Sequence, residues 1–256
     1  MTLTNPATVS ELMKPKSAKK NTEVPIKSSK KPLIFAGRNG LGAYTEYPDN
    51  FPKDVIFQDE KFVAIQDRFP KSTVHTLLLP RGPINLVHPL VALQNPEFLA
   101  ATRVKAEELK KIVASELRRK FGQFSAQDKA REAVLNGKVD LADREELPKG
   151  RDWESEVEMG IHLHPSMNHL HIHVLSRDNY SGYMKHRNHY NSFNTPFFVK
   201  LSEFPLNKDD PREPTNACEN YLERDLMCWR CGENFKRSMA RLKEHLKEEF
   251  EEWKKE

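Results

Sequence analysis

Three histidines alternate with aliphatic residues in the segment His169–Leu175, and no other feature of the sequence constrains the fold as strongly. Side chains on a β-strand point alternately to its two faces, so this pattern predicts a strand with an imidazole face and a core face. Successive imidazoles on one face lie roughly 6.6 Å apart along the strand, which lets several of them surround a single phosphate. The segment therefore predicts a strand that is buried on one side and carries a chemical site on the other.

Imidazole suits phosphate chemistry because its pKa, near ~6.5, lets one ring act as a neutral nucleophile while its neighbours donate hydrogen bonds. His162 and His164 precede the strand across the turn Pro165–Asn168, and a hairpin would return them to the same face. One of them is a candidate to protonate a leaving group. Two alternatives remain open: His-x-His strands also occur in metal sites, and the histidines can be ordinary core or surface residues. The phosphate site is the leading hypothesis.

The surrounding chain has the pattern of an antiparallel sheet. Strand-like apolar runs separated by turn residues occur at Val55–Phe57, Phe62–Ile65 and Val74–Leu79. A further pair at Val157–Leu163 and His169–Ser176 closes the sheet. The predicted fold class is α+β.

Helical patterns accompany the sheet. Residues 33–50 predict a short, glycine-interrupted helix, and residues 238–254 predict a C-terminal helix. Leu90 to about Phe121 predicts a long helix that packs on the sheet. Residues 122–152 are charged and punctuated by Gly and Pro, which indicates a peripheral insertion of uncertain order. The apolar positions of the long helix are Leu99, Val104, Leu109, Ile112, Val113 and Leu117.

Composition limits the remaining possibilities. The 256 residues allow one mid-sized domain, at 33–204, plus a linker and small module at 205–256. Residues 1–32 are rich in Lys, Ser, Thr and Pro, which predicts a disordered basic tail that serves nuclear import or DNA tethering, or has no specific role. No apolar run approaches the ~18 residues of a membrane span, and the N-terminus lacks the apolar core of a signal peptide. We therefore expect a soluble, intracellular protein that does not bind membranes.

The three cysteines all lie near the C-terminus, where a metal or thiol role is expected rather than a disulfide framework. Cys228 and Cys231 have the spacing of a zinc knuckle. His245 and Glu249, one helical turn apart, are candidates to complete a tetrahedral Zn²⁺ site. The alternatives are a redox dithiol or a pair of unligated thiols. Cys218 has no evident place in such a site and is expected to be a free thiol.

The histidine strand resembles the signature of the histidine-triad (HIT) family, His-x-His-x-His followed by apolar residues. This resemblance implies a HIT-like antiparallel sheet and makes His171 the nucleophile. His169 and His173 would then orient it and stabilise the phosphoryl oxygens. A histidine at position 173, where the nucleotidyltransferase branch has glutamine, favours hydrolysis over transfer.

Neighbouring segments are similar to the aprataxin branch of this family, in its fungal form. Pro165–His173 resembles the active-site strand, and Gly160–His162 resembles the upstream Gly-aromatic-His motif, which makes His162 the candidate general acid. Asp67–His75 resembles the nucleotide-side strand and loop, where Asp67 would hold the ribose and Lys71 would meet a phosphate. The nucleotide-binding candidates are Asp67, Phe69, Lys71, His75, Ser166 and Met167.

Other segments resemble the parts of aprataxins that hold DNA. Lys185–Asn194 resembles the segment that lines the DNA-end site, and basic and hydroxyl side chains there would contact the backbone. Arg38, Leu41 and Tyr44 resemble the N-terminal helix that wedges against a base pair. The cysteine module resembles the family's Cys-Cys-His-Glu zinc domain. The DNA-binding candidates are Arg38, Tyr44, Lys185, Arg187, His189 and Ser192.

The resemblance implies a nuclear enzyme, also present in the cytoplasm, that removes AMP from 5′-adenylated DNA through an AMP-histidine intermediate. The same site would remove GMP from capped 3′ ends. Zinc would be structural, no catalytic metal would be needed, and the chain would act as a monomer. Two other functions stay open: hydrolysis of small adenylated molecules such as AMP-lysine, and non-catalytic binding of DNA ends as an adaptor.

Overall fold

A computed structural model describes residues 36–142, 146–212 and 219–256, so the predictions for the basic tail and for Cys218 lie outside the described residues. Its central element is a six-stranded antiparallel sheet with the strand order β1-β2-β3-β5-β4-β6. The strands are β1 Val55–Gln58, β2 Phe62–Gln66, β3 His75–Pro80, β4 Val157–His162, β5 Ile172–Ser176 and β6 Phe198–Lys200. The five predicted strand regions are confirmed, and β6 is an additional strand that the sequence pattern did not indicate.

The histidine strand lies in the middle of the sheet, between β3 and β4. His173 is paired with Leu77 on one side and with Gly160 on the other. A Cβ at Gly160 would lie 2.4 Å from the carbonyl oxygen of Val199, so glycine is needed for β6 to approach this closely. The central position fixes the histidine face with respect to both neighbouring strands.

The start of β5 differs from the sequence prediction. The strand was expected from His169, but it begins at Ile172. The preceding backbone leaves the ladder, and the N–H of Leu170 instead donates to the carbonyl of Asn85 at 2.6 Å. His169 and His171 therefore belong to the segment that enters the strand rather than to the strand itself.

Seven helices occur in the described part of the chain, and α3 packs on one face of the sheet. The helix predicted from Leu90 to Phe121 is wrong in one respect, because it is two helices. The side chain of Asn95 accepts a hydrogen bond from the N–H of Phe98 at 3.0 Å and caps a new helix that begins with Pro96. The helices are α1 Gly42–Glu46, α2 Pro89–Ala92, α3 Pro96–Phe121, α4 Lys129–Leu135, α5 Arg187–Asn194, α6 Glu219–Leu222 and α7 Met239–Trp253.

Two of the apolar positions assigned to the buried face of α3 point to solvent. Val104 and Ile112 are 68% and 39% exposed, whereas Leu109 and Leu117 are fully buried. The glycine-interrupted helix expected within 33–50 is likewise fragmented. A 3₁₀ turn at Gly37–Asn39 precedes α1.

Residues 122–152, expected to be an insertion of uncertain order, contain side chains that are buried in the domain. Asp128 is fully buried and accepts hydrogen bonds from the indole of Trp153 at 2.6 Å and from the backbone N–H of Arg151 at 3.0 Å. The Arg151 guanidinium lies between the rings of Trp153 and Trp253 and donates to the Trp253 carbonyl at 2.6 Å. The segment thus joins the sheet domain to the C-terminal helix α7.

The C-terminal helix was predicted at 238–254, and α7 confirms it, with Ser238 as its N-cap. A second apolar cluster links this helix to α5, and the described residues all belong to one compact unit. Within the described residues, no helix has the length and apolar character that a membrane span requires. The second cluster consists of Met184, Tyr190, Leu226, Cys228, Phe235, Leu242 and Leu246.

Candidate active site and zinc centre

A cavity of about 790 Å³ opens over the histidine face of the sheet. Its walls come from the sheet, the 67–71 loop, the 162–167 turn, and helices α1 and α5. This volume is within the range of nucleotide-sized ligand sites. The lining residues include Leu41, Tyr44, Asp67, Phe69, Lys71, His75, His162, His164, Ser166, Met167, His171, His173, His189, Ser192 and Phe193.

His171 has a defined tautomer. Its Nδ1 lies 2.8 Å from the carbonyl oxygen of His169, and a carbonyl only accepts, so Nδ1 carries the proton. Burial lowers the pKa of His171 below its ordinary value, so the ring is neutral near pH 7. A neutral ring protonated at Nδ1 has its lone pair at Nε2, and this nitrogen is therefore a nucleophile. His169 contributes its backbone carbonyl to this arrangement, while its ring, with a buried and unpartnered Nδ1, lies outside the cavity wall.

His75 sets the tautomer of His173. The backbone N–H of Lys71 donates to Nδ1 of His75 at 3.0 Å, so a neutral His75 carries its proton on Nε2. That nitrogen lies 2.9 Å from Nδ1 of His173 and donates to it. Neutral His173 must then carry its own proton on Nε2, which makes it a hydrogen-bond donor toward the cavity.

His162 completes the histidine cluster. The ring interacts with the backbone of Ser192, and its Nε2 is buried without a hydrogen-bond partner. Its ring packs against His173 with centroids 4.4 Å apart and against Phe193 at 4.6 Å. Nε2 of His173 is equally buried and unpartnered. Buried polar nitrogens without partners are costly, so these two atoms mark where oxygen atoms of a ligand would bind.

The environment keeps the cluster uncharged. Burial lowers the pKa of His75 to about 4, and burial together with the neighbouring histidines lowers the pKa of His162 and of His173 well below 6.5. An anionic phosphate bound among them would raise these pKa values, because an opposite charge favours the protonated ring. A bound phosphate would therefore favour protonation of the cluster.

Asp67, His75 and His173 also form a compact group with the geometry of a candidate metal site. Both ring nitrogens of His75 are already engaged, one by the N–H of Lys71 and the other by His173. A metal ligand needs a free lone pair directed at the ion. The two hydrogen bonds of His75 therefore favour a hydrogen-bonded chain from Lys71 through His75 to His173 over a metal site.

The nucleotide-side candidates line one end of the cavity. Asp67 accepts from the backbone N–H of Phe69 at 2.7 Å and has an oxygen 3.5 Å from Nδ1 of His75. Lys71 has its pKa lowered, mainly by burial. Beside them, Met167 packs on an apolar patch that contains Leu41. Ser166 also lines the cavity, so the structure brings all six candidates together at an apolar slot with a carboxylate at its edge.

The DNA-binding candidates occupy different environments. His189 and Ser192 line the cavity from α5, and Lys185 is exposed just before that helix. Arg187 is paired with Glu223, with 3.5 Å between their charged atoms. Arg38 is exposed and donates to the Pro165 carbonyl at 3.4 Å.

Tyr44, the remaining DNA-binding candidate, lies on α1. It is half-buried and donates to a carboxylate oxygen of Asp54 at 2.9 Å. Its ring packs against Phe51 with centroids 4.4 Å apart. The residue therefore forms part of the cavity wall.

The four metal candidates converge where the cysteine knuckle meets α7. Donor atoms of Cys228, Cys231, His245 and Glu249 all lie within 4.8 Å of one another. Nε2 of His245 is 3.2 Å from Sγ of Cys231 and 3.2 Å from a Glu249 oxygen. The second Glu249 oxygen accepts from Arg230 at 2.6 Å, which orients the carboxylate. The donor set and spacing fit a closed tetrahedral Zn²⁺ site.

Comparisons with known proteins agree with this arrangement. The model of the HIT domain matches residues 49–180, and that of the C2HE / C2H2 / C2HC zinc-binding finger matches residues 194–252. The aprataxin-like protein of Schizosaccharomyces pombe is 34% identical over 220 residues, which cover 84% of this chain and 82% of that protein. The chain belongs to the aprataxin family.

Solved aprataxin structures share the fold. The crystal structure of the aprataxin ortholog Hnt3 in complex with DNA has a TM-score of 0.65 and 32% identity, and the match covers 84% of this chain and 96% of that one. Hnt3 in complex with DNA and guanosine has a TM-score of 0.64 at the same identity and coverage. The chain is thus a DNA-repair protein and a nucleotide hydrolase of the HIT superfamily with a C2HE zinc finger.

Several residues of the aprataxin site escaped the sequence analysis. Phe193 forms the wall behind His162 and His173. Tyr190, on the same helix, donates to the Met227 carbonyl at 2.9 Å and accepts from the Trp229 N–H at 2.9 Å. Helix α5 was not predicted because its segment is mostly polar. The spacing of its aromatic residues Tyr190 and Phe193 was the sequence signal that could have indicated a helix.

Proposed function

We propose that this protein removes AMP from 5′-adenylated DNA ends through a covalent intermediate on His171. The observation that carries the proposal is the arrangement of three histidines around one cavity. His171 offers a lone pair, His173 offers an N–H, and His162 has a buried Nε2 without a hydrogen-bond partner. Nucleophilic displacement at phosphorus needs these three roles.

In the first step, Nε2 of His171 attacks the phosphorus of the AMP group. A P–N bond forms, and the bond from that phosphorus to the bridging oxygen of the DNA 5′-phosphate breaks. His162 donates a proton through Nε2 to the departing oxygen, and His173 donates a hydrogen bond to a phosphoryl oxygen. The burial that lowers the pKa of His162 makes it a strong proton donor once the phosphate has charged it.

In the second step, water attacks the adenylated histidine. His162 accepts a proton from this water, the P–N bond breaks, and AMP is released while His171 recovers its lone pair. The products are AMP and a DNA 5′-phosphate. The carbonyl of His169 holds the His171 ring in one orientation through both steps.

The adenosine moiety fits the apolar slot beside Asp67. Leu41 and Met167 lie in one apolar cluster and offer a surface for the base, and Asp67 is placed to accept hydrogen bonds from ribose hydroxyls. The same slot would also take a guanosine moiety. The related Hnt3 complex with guanosine supports the additional removal of GMP from capped 3′ ends.

DNA is favoured over a small adenylated molecule because this chain carries a zinc module beside the cavity. Hnt3, which shares the fold, has been crystallised with DNA. A purely small-molecule hydrolase would not need this module or the exposed cations near α5. A DNA-end adaptor without activity would not need the ordered tautomers of the histidine cluster. We further propose that the protein acts in the nucleus as a monomer, without a catalytic metal.

Zn²⁺ bound by Cys228, Cys231, His245 and Glu249 would be structural, since a site closed by four protein ligands leaves no open position for a substrate. The coordination would neutralise the thiolates and fix the knuckle against α7. The chemistry of the histidine cluster is separate from it.

The test is release of AMP from a nicked duplex with a 5′-adenylate at the nick. Wild type is compared with His171→Ala and with Val104→Ala, which shortens a side chain that is 68% exposed on α3. We expect release by wild type and Val104→Ala and none by His171→Ala. Acid quenching during turnover should trap AMP on the wild-type protein only when His171 is present. A folded, zinc-loaded wild type that releases no AMP would overturn the proposal.

A further inference from the structure

Two aromatic rings stand exposed beside the mouth of the cavity. Phe69 is 55% exposed and Tyr183 is 43% exposed, and their rings meet edge to face with centroids 5.5 Å apart. Single exposed aromatic residues are common, whereas exposed aromatic residues in contact with each other form a patch that can bind a partner. We call this pair the Phe69–Tyr183 platform.

The platform is held in place although its faces are exposed. The hydroxyl of Ser181 donates to the Pro70 carbonyl at 2.5 Å and accepts from the N–H of Tyr183 at 3.1 Å, which ties the two loops together. The next residue, Met184, is buried in the core of the zinc module. Ordering the rings therefore costs little when a ligand binds, since the loops are already fixed.

Cations flank both rings. The guanidinium of Arg68 lies 5.9 Å from the Phe69 centroid, and the ammonium of Lys185 lies 5.7 Å from the Tyr183 centroid. Aromatic faces interleaved with Lys and Arg are typical of surfaces on which single-stranded nucleic acid stacks. The platform is also continuous with the reaction site, because Phe69 lines the cavity together with Lys71.

We propose that the platform binds an unpaired nucleobase of the DNA strand whose 5′ end occupies the cavity. A base held in a duplex already stacks on its neighbours, whereas an unpaired base has a free face and can swing sideways onto Tyr183. Lys185 and Arg68 would contact the phosphates on either side of that base. The inference rests on the proposed action on DNA ends and adds a preference for ends whose first base is unpaired.

A protein partner is the other occupant that an exposed aromatic pair admits. The position of the pair at the rim of a phosphate-binding cavity, and the positive charge around it, favour the nucleic acid. A protein ligand would bind without regard to base pairing, so the two occupants give different results with the same set of duplexes.

The first experiment uses DNA with a 5′-phosphate, which is the reaction product, and therefore does not depend on catalysis. A nicked duplex carries 2-aminopurine as the first nucleotide of the 5′ strand, either paired or opposite a mismatched base. Wild type should quench the fluorescence of the unpaired probe and leave that of the paired probe nearly unchanged. Tyr183→Ala should weaken binding of the unpaired end roughly tenfold.

Two variants make the comparison specific. Tyr183→Phe retains the ring and should behave as wild type. Phe124→Ala removes another exposed aromatic residue, which is 48% exposed with the Lys254 ammonium 5.0 Å from its ring, and should also behave as wild type. Equal quenching by wild type and Tyr183→Ala would overturn the proposal that the platform binds an unpaired base.

The second experiment measures AMP release from the adenylated forms of the same two duplexes. Wild type should show a higher kcat/KM on the mismatched end than on the paired end. Tyr183→Ala should show equal kcat/KM on the two ends, with its activity on the paired end unchanged. If wild type releases AMP from both duplexes but does not quench the unpaired probe, the platform alone is overturned. Quenching without AMP release from either duplex retains the platform and overturns the proposed chemistry.

Discussion

Nε2 of His75 donates a hydrogen bond to Nδ1 of His173 across 2.9 Å, deep in the sheet and away from solvent. The backbone N–H of Lys71 occupies the other nitrogen of His75. The His75 ring therefore links the Lys71 loop to the histidine strand, because it forms one hydrogen bond with each. Through this link, the backbone of a loop that lines the cavity determines which nitrogen of His173 carries its proton.

Replacing His75 with Phe is expected to lower kcat for AMP release roughly ten- to a hundredfold, with a smaller change in KM. Phenylalanine keeps an aromatic ring in the core but cannot donate to His173, so the Nε2–H tautomer of His173 is no longer enforced. The loss should stay at or below the ~10²–10⁴-fold effect of removing acid–base catalysis outright. Steady-state kinetics on an adenylated nick measure both constants. An unchanged kcat would show that His173 needs no partner to hold its tautomer.

Stability should depend on pH through the buried histidines. His75 has a pKa of about 4 in the folded protein, whereas an unfolded histidine titrates near ~6.5. Between these values the unfolded chain binds more protons, so the free energy of unfolding is highest above pH ~6.5 and falls as the pH drops toward 4. His75 alone accounts for a loss of about 3 kcal/mol over that window.

Urea unfolding at pH 7 and pH 5 checks this expectation. The difference in unfolding free energy between the two pH values should be smaller in His75→Phe than in wild type, because one titrating group is gone. Protonation of the zinc ligands is common to both proteins and cancels in the comparison. An identical pH dependence in the two proteins would contradict the assignment of a depressed pKa to His75.

Much of the site could be predicted because its functional residues follow short, local sequence patterns. Alternation placed His171 and His173 together, and the spacing of Cys228 and Cys231 indicated a metal knuckle. Such patterns depend only on the strand period and on ligand chemistry. The pattern wrongly implied that the His169 ring belongs to the site. The strand begins only at Ile172, and His169 instead contributes its backbone carbonyl, which accepts from His171.

Contacts between distant segments could not be predicted in the same way. Charge and glycine content made residues 122–152 look peripheral, yet Asp128 and Arg151 are buried because acceptors and aromatic rings from other segments surround them. A single sequence carries no signal for such pairings, which depend on tertiary position rather than on local propensity. The link from Tyr190 to the zinc knuckle was missed for the same reason.

Arg151 gives this cluster a direct test. Replacement with Met should lower the free energy of unfolding by roughly 3–5 kcal/mol, because it removes the partner of a partly buried carboxylate and the donor to the Trp253 carbonyl. The guanidinium is 3.0 Å from Glu156, and its side chain is only 3% exposed. Arg119→Met is the control, since that arginine is 70% exposed and pairs only with Glu116 on α3 in the described structure. Equal unfolding midpoints in denaturant for the two variants would show that the buried cluster contributes nothing beyond a surface pair.

The hydroxyl of Tyr190 should couple zinc retention to helix α5. Tyr190→Phe leaves the N–H of Trp229 and the carbonyl of Met227 without their partner, which is expected to destabilise the knuckle by about 1–3 kcal/mol. Trp229 lies between the two cysteine ligands, so the variant should lose Zn²⁺ to a chromogenic chelator faster than wild type. Tyr183→Phe removes an exposed hydroxyl a few residues away and should release the metal at the wild-type rate.

If both variants retain Zn²⁺ equally well, the tyrosine merely fills space between α5 and the module. If only Tyr190→Phe loses it, the helix that carries Ser192 and Phe193 into the cavity is stabilised by the metal site, and the zinc module contributes to the active site.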